Sequence, residues 1–165
     1  MKPLLVALDG SPRAPGVLKM AVAQARSTGA ELVLLRAVGI PSDLPITAMA
    51  MSPSDVLSVL EQRAKNELNE LARGLIPTGV QWTTRVETST AWQAICQAAQ
   101  AIDASLIVIG SHGYGALDRV LGTTAGRVVN HADRSVLVVR PHESNSARDV
   151  FSHQRDGVMK VAIRP

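Results

Sequence analysis

The sequence predicts a single α/β domain: an open, five-stranded parallel sheet with helices on both faces. Three observations lead there. Short unbroken apolar runs alternate with stretches of helical period, those stretches are long enough for crossover connections, and the core material is aliphatic. Of 165 residues 46% are hydrophobic, yet the aromatic set is Trp82, Trp92, Tyr114 and Phe151 alone. Val, Leu, Ile and Ala must therefore fill the interior, as suits buried strands beneath Ala-rich helices. The length supports one domain of ordinary size.

Leu4 to Leu8 is a continuous apolar run, the pattern of a strand covered on both faces. Asp9-Gly10-Ser11-Pro12 breaks it, with Ser11 expected as N-cap and Pro12 as first helical residue. The helix that follows runs to about Thr28, with Ala14, Val17, Leu18, Ala21, Val22 and Ala25 on one face and Gly29 ending it. Glu31 to Val38 reads as a second buried strand. Gly39 to Ser52 has neither period and is long for a loop, so it is read as either a lid or a disordered connection. Ser52-Pro53-Ser54-Asp55 forms a capping-box pattern, and its helix carries Leu57, Leu60, Ala64, Leu68, Leu71 and Leu75 at helical spacing until Pro77 and Gly79.

Val80 to Val86 is the least apolar strand and is expected at an edge. Ala91 to Ile102 predicts a helix with Trp92, Ile95, Cys96, Ala99 and Ile102 on one face, which makes Cys96 a core residue. Leu106 to Ile109 is the most clearly buried strand. It runs into a glycine-rich turn, then a helix from about Thr123 to His131 and a fifth strand, Val136 to Val139, stopped by Pro141. The domain is drawn over residues 1–141. The polar extension 142–165 is read as disordered or docking, with Val158 to Ile163 as a candidate extra strand.

Composition excludes several classes. The net charge of +3 comes from 17 basic and 14 acidic residues without a Lys/Arg run, so no nucleic-acid stripe is expected. There is no apolar run long enough to span a bilayer and no signal-like start, and the lone Cys96 fits a reducing compartment; the expectation is a cytoplasmic protein that does not engage membranes. His112, His131, His142 and His153 show no metal-ligand spacing, so no dedicated metal site is expected.

In an open parallel sheet, ligands bind beyond the carboxyl ends of the strands where the winding reverses. Two loops stand at such ends. After the first strand comes Asp9, an acceptor suited to a sugar hydroxyl or a base. After the fourth come Gly110 to Gly113 and then Gly122-Thr123-Thr124, where glycines and a helix N-terminus present N–H donors to an anion. This is a phosphate cradle without lysine. Neither G-x-x-x-x-G-K-[ST] nor G-x-G-x-x-G is present. Arg119 and Arg127 are near enough in sequence to assist a phosphate, and solvated helix arginine is the competing reading.

Val6-Ala7-Leu8-Asp9-Gly10-Ser11, Leu106 to Gly113, Gly122-Thr123 and Val136 to Pro141 together resemble the universal stress protein family, across residues 1–141. The resemblance implies a Rossmann-like sheet of order 3-2-1-4-5, of the adenine nucleotide alpha-hydrolase-like type. It further implies a homodimer through the last strand, acting in stress response with a protein partner the sequence does not identify. In nucleotide-binding members the signature is G-x-x-G, a spacer, then G-S or G-T. Carried onto this chain, Asp9 meets the adenosine, and Ala7 and Ala37 line the adenine, with Leu8 and Ile109 in the same set. Gly110, His112, Gly113, Gly122, Thr123 and Thr124 hold ribose and phosphates. The implied ligand is ATP, or ADP or AMP, and Mg²⁺ would arrive with it on phosphate oxygens and water.

Two departures stand out. Eight residues, Tyr114 to Leu121, separate Gly113 from Gly122, one fewer than the family spacer, and Ser89-Thr90-Ala91 stands where relatives often have Gly-x-Pro. Three function classes follow: a nucleotide-binding sensor or regulator, a dimeric interaction module that binds no nucleotide, and a slow ATP hydrolase. The last has least support, since no general base or other catalytic residue is identifiable and no carboxylate is placed to orient His112.

Overall fold

The computed structural model describes residues 1–39, 52–111 and 121–140. Strands and helices alternate: β1 (Leu4–Ala7), α1 (Ala14–Thr28), β2 (Leu32–Val38), α2 (Pro53–Leu75), β3 (Trp82–Thr88), α3 (Ala91–Ala101), β4 (Leu106–Gly110), α4 (Thr123–His131) and β5 (Ser135–Val139). The strands form one parallel sheet in the order β3-β2-β1-β4-β5, the order the resemblance implies. In the centre, Leu5 is flanked by Val33 of β2 and Ile107 of β4, and Ala7 by Leu35 and Ile109.

Side chains that alternate along each strand feed two cores. Leu4, Val6, Leu32, Leu34 and Val108 pack with Val17, Leu18 and Ala21 of α1 and with Leu68 and Ala72 of α2. Leu5, Ala7, Val33, Leu35, Ile107 and Ile109 face Ile95, Ala98 and Ala99 of α3 and Ala125 and Val128 of α4. Burial on both faces explains why β1 is unbroken apolar sequence. The edge position expected for the third strand is found, with β5 at the opposite edge.

Local chemistry sets the helix ends, once differently from the sequence expectation. Helix α1 starts at Ala14, with Arg13 as N-cap and no side-chain capping bond, rather than at Pro12 behind Ser11. The reason is Asp9. Its Oδ1 accepts from both the Ser11 amide (3.1 Å) and the Ser11 hydroxyl (2.6 Å), so Ser11 to Arg13 form a turn before the helix. Ser11 Oγ accepts from the Arg13 amide at 3.3 Å, capping that turn instead. At the other end Gly29 (φ 71°) closes α1 in the left-handed region, with its N–H on the Ala25 carbonyl. The capping box of α2 is as expected: Ser52 Oγ accepts from the Asp55 amide and donates to the Asp55 carboxylate.

The buried face of α3 is Ala94, Ile95, Ala98 and Ala99, whereas Trp92, Cys96 and Ile102 pack along its flank. The three alanines let this helix sit close to the sheet around Ile95. The segment 40–51, residues 112–120 and the extension from 141 onward lie outside the described residues, and with them the lid reading, His112, Gly113, Arg119 and the candidate extra strand. Among the described residues, no helix is long and apolar enough to cross a membrane.

Candidate functional site

Because β1 pairs with β2 on one side and β4 on the other, the chain's winding reverses between β1 and β4, and a crevice opens beyond their carboxyl ends. A cleft of about 420 Å³ occupies this position. Ala7, Leu8, Asp9, Ala37, Ile109, Gly110, Gly122, Thr123 and Thr124 line it, whereas Arg127, considered for a phosphate, does not.

The floor is made by strand ends with little side chain. Ala7, Ala37 and Gly110 stand at the ends of three strands, which leaves room for a flat group between the helix layers. Leu8 continues β1 by one bond, its amide donating to the Leu35 carbonyl at 2.9 Å, and then the chain turns and leaves Asp9 exposed at the rim. The Asp9 carboxylate spends Oδ1 on Ser11, while its own carbonyl accepts from Arg36 Nη2 at 3.0 Å.

The opposite wall is the start of α4. Gly122 is the N-cap, without a side-chain capping bond, and its N–H is already committed to the Ser111 carbonyl at 2.8 Å. The first helical bond is Gly126 N–H to Gly122 C=O, so the amides of Thr123, Thr124 and Ala125 have no intrahelical acceptor. Three N–H donors, two hydroxyls and the positive end of a helix dipole thus border the cleft. Ser111 is fully buried beneath them, its amide on the Val139 carbonyl, and ties β4, β5 and the start of α4 together.

Sequence reasoning missed part of the lining. Ser11 and Arg13 come from the turn before α1 and Val17 from its first turn, Leu35 from β2, Ala91 and Ile95 from α3, and Ser111 and Ala125 flank the glycine turn. Leu35 was recoverable, since it shares a strand face with Ala37 two residues on. Arg13 brings a cation to the rim, the role considered for Arg127. Arg127 instead lies over the Trp92 ring, 6.0 Å from its centroid, on the flank where Trp92 also meets His131. Cys96 is a free thiol of intermediate burial on the flank of α3. Burial, and then the nearby Asp133 charge, push its thiol upward, the reverse of what a reactive thiolate requires. Among the described residues there is no cluster of three or more His, Cys, Asp or Glu that could hold a metal ion.

Sheet order and cleft position define a doubly wound α/β domain with its crevice at the switch point. The chain belongs to the universal stress protein family, whose pattern matches residues 1–140. Universal stress protein A homolog 1 of Coxiella burnetii is 27% identical over 146 residues, covering 84% of this chain and 95% of that protein. The solved universal stress protein UspA of Lactobacillus plantarum is 26% identical, with a TM-score of 0.70 over 84% of this chain and 97% of its own. A universal stress protein of Archaeoglobus fulgidus, solved in complex with dAMP, shares the fold at 21% identity, with a TM-score of 0.59 over 85% of this chain and 98% of its own.

Proposed function

We propose that this chain binds an adenine nucleotide in the cleft above β1 and β4 and works as a dimeric regulatory or sensor module. The observation that carries the reading is the pairing of unlike walls: an exposed carboxylate, Asp9, on one rim and the uncapped start of α4 on the other, separated by a floor of small side chains. A nucleoside phosphate has the matching chemistry, with hydroxyls and a base edge to donate to Asp9, a flat ring for the floor and an anion for the helix start. In this reading Ala7, Leu8, Ala37 and Ile109 cradle the base. The Thr123 and Thr124 amides and hydroxyls take the phosphates, and Gly110 and Gly122 admit them by having no side chain. His112 and Gly113 join the phosphate side on the strength of the family signature. The cleft volume suits a mononucleotide-sized ligand. The dAMP complex of the Archaeoglobus neighbour speaks for the capacity of the fold, and the choice of ligand here rests on the cleft.

The dimer is proposed to form through β5, a sheet edge of Ser135-Val136-Leu137-Val138-Val139 that has no strand beyond it among the described residues. Sedimentation of the full chain at micromolar concentration should give a dimer, and a monomer would remove this part. The spacer between Gly113 and Gly122, one residue short of the family signature, favours one competing reading, an interaction module that binds no nucleotide. Native mass spectrometry of the purified chain, followed by calorimetry with AMP, ADP and ATP in Mg²⁺, decides between them. Bound or titratable adenine nucleotide is expected; absence of both replaces the nucleotide reading with the module.

A further inference from the structure

We propose that Arg36 is a positioning residue for the cleft: its guanidinium fork ties the Asp9 peptide to helix α2 and thereby sets where the Asp9 carboxylate stands. Strand alternation puts Arg36 on the same face as Leu32 and Leu34, where an aliphatic residue is called for. Its side chain is only 11% exposed. Nη1 pairs with Glu67 Oε2 of α2, Nη2 donates to the Asp9 carbonyl at 3.0 Å, and Nε is buried with no partner among the described residues.

As a contribution to the core this is a poor choice, because a buried cation with an orphaned N–H is no more stabilising than a well-packed aliphatic side chain. Breaks of a local rule of this kind concentrate at functional sites. What the placement does accomplish is geometric. Asp9 lies past the last sheet bond of β1 and before Gly10, where the backbone has most freedom, and among the described residues Arg36 links its peptide to a neighbouring element. Glu67 in turn is gripped by Arg63 Nε at 2.8 Å, so the anchor for Arg36 is itself held in place. The Arg63 guanidinium, and then that of Arg36, keeps the Glu67 carboxyl below its ordinary range and therefore charged at neutral pH. The planar fork reaches Glu67 and Asp9 from two separate nitrogens, whereas a lysine, with one nitrogen on a different stem, is expected to keep the ion pair with Glu67 and to lose the Asp9 carbonyl.

The effect on ligand affinity rests on the adenine-nucleotide reading, whereas the effect on the Asp9 loop does not, and the test separates the two. Full-length Arg36→Lys and Arg36→Met are compared with wild type by adenosine calorimetry, thermal melting and amide exchange at Ser11 and Arg13. Arg36→Lys is expected to keep the wild-type Tm, because the pair with Glu67 survives, yet to bind adenosine about 10-fold more weakly and to exchange faster at both amides. Arg36→Met should show the same losses in affinity and protection, and if it fails to fold, Arg36→Lys carries the test alone. Wild-type affinity and exchange in Arg36→Lys would overturn the proposal and leave Arg36 a structural pair. Should wild type bind no adenosine, the nucleotide reading falls and exchange decides the clamp: faster exchange in Arg36→Lys upholds it, unchanged exchange refutes it.

Discussion

The two ends of the sheet are built from similar groups and end in opposite states. At the amino end the polar groups are spent on one another. Ser105 N–H bonds the Pro3 carbonyl, Leu4 N–H that of Glu31 and Leu32 N–H that of Gln81, each at 2.9 Å. Arg134 Nη1 donates to both the Ala99 and Ala104 carbonyls at 2.9 Å, and Lys2 pairs with Asp103 at 2.8 Å. At the carboxyl end the amides of Thr123, Thr124 and Ala125 have no intrahelical acceptor, and Asp9 is exposed. Size does not mark the site. A groove of about 540 Å³ at the amino end, between Met1, Arg26, Gly29 and Gly79, exceeds the cleft in volume, yet it is bounded by the closing turns of α1 and of the α2–β3 connection. What distinguishes the carboxyl end is the set of donors and acceptors left over after folding.

The largest test of that contrast is Gly122→Val. The residue has φ −59° and ψ 158°, an extended conformation open to valine, so the fold should survive while a branched side chain enters the phosphate side of the cleft. ATP affinity should fall by more than about 100-fold, with Tm close to wild type. Retained binding in calorimetry would mean that the start of α4 is not the anchor. Next comes Asp9→Ala, which removes a charged acceptor from the opposite rim and should weaken adenosine and ATP alike by about 10- to 150-fold. A loss confined to ATP would place Asp9 on the phosphate side instead. At the closed end Arg134→Ala should do the converse: a drop of several degrees in Tm through two orphaned carbonyls, with nucleotide affinity unchanged. A matching fall in affinity would show that the two ends are not independent.

Much of this division was legible in the chain. Continuous apolar runs identified β1 and β4, and the glycines and threonines after β4 identified one wall, because strand burial and helix starts are written in neighbouring residues. The strand order came from the family resemblance, since pairing between segments a hundred residues apart leaves no local trace. Three features depended on contacts of that long-range kind. Ser11 has the composition of a helix cap, but the Asp9 carboxylate claims it. Ala91 and Ile95 reach the cleft through the packing of α3 on the sheet, which periodicity does not report. Arg36 is one charge in an apolar strand, and its sense appears only when Glu67 and Asp9 converge on it. Gly122 stands on the cleft as the N-cap of α4, while its amide, expected to face an anion, is taken by the Ser111 carbonyl.

The smallest expected effect compares a carboxylate near each end. Hydrogen bonds from Arg63 and Arg36 hold Glu67 below its ordinary pKa of 4.5, and a hydrogen bond from Arg134 holds Asp133 below 3.8. For a carboxylate depressed in the folded state, the stabilisation is fully present above the unfolded pKa and is lost as pH falls through the folded one. Glu67→Gln and Asp133→Asn should therefore both melt below wild type at pH 7, and the gaps should begin to narrow as pH drops below the ordinary values of 4.5 and 3.8 respectively, closing only once pH has passed the lower folded-state values, where wild type becomes neutral at the same positions. Solvent screens both pairs, so the gaps should be about 1–2 °C. The ends part company in a second quantity: adenosine affinity at pH 7 should fall in Glu67→Gln, where Arg36 loses its charged anchor, and stay at the wild-type value in Asp133→Asn. Melting curves from pH 7 to pH 3 with parallel titrations at pH 7 measure both. A gap that does not narrow at all between pH 7 and pH 3 would trace the destabilisation to lost packing, and equal affinities in the two variants would cut the link between α2 and the cleft.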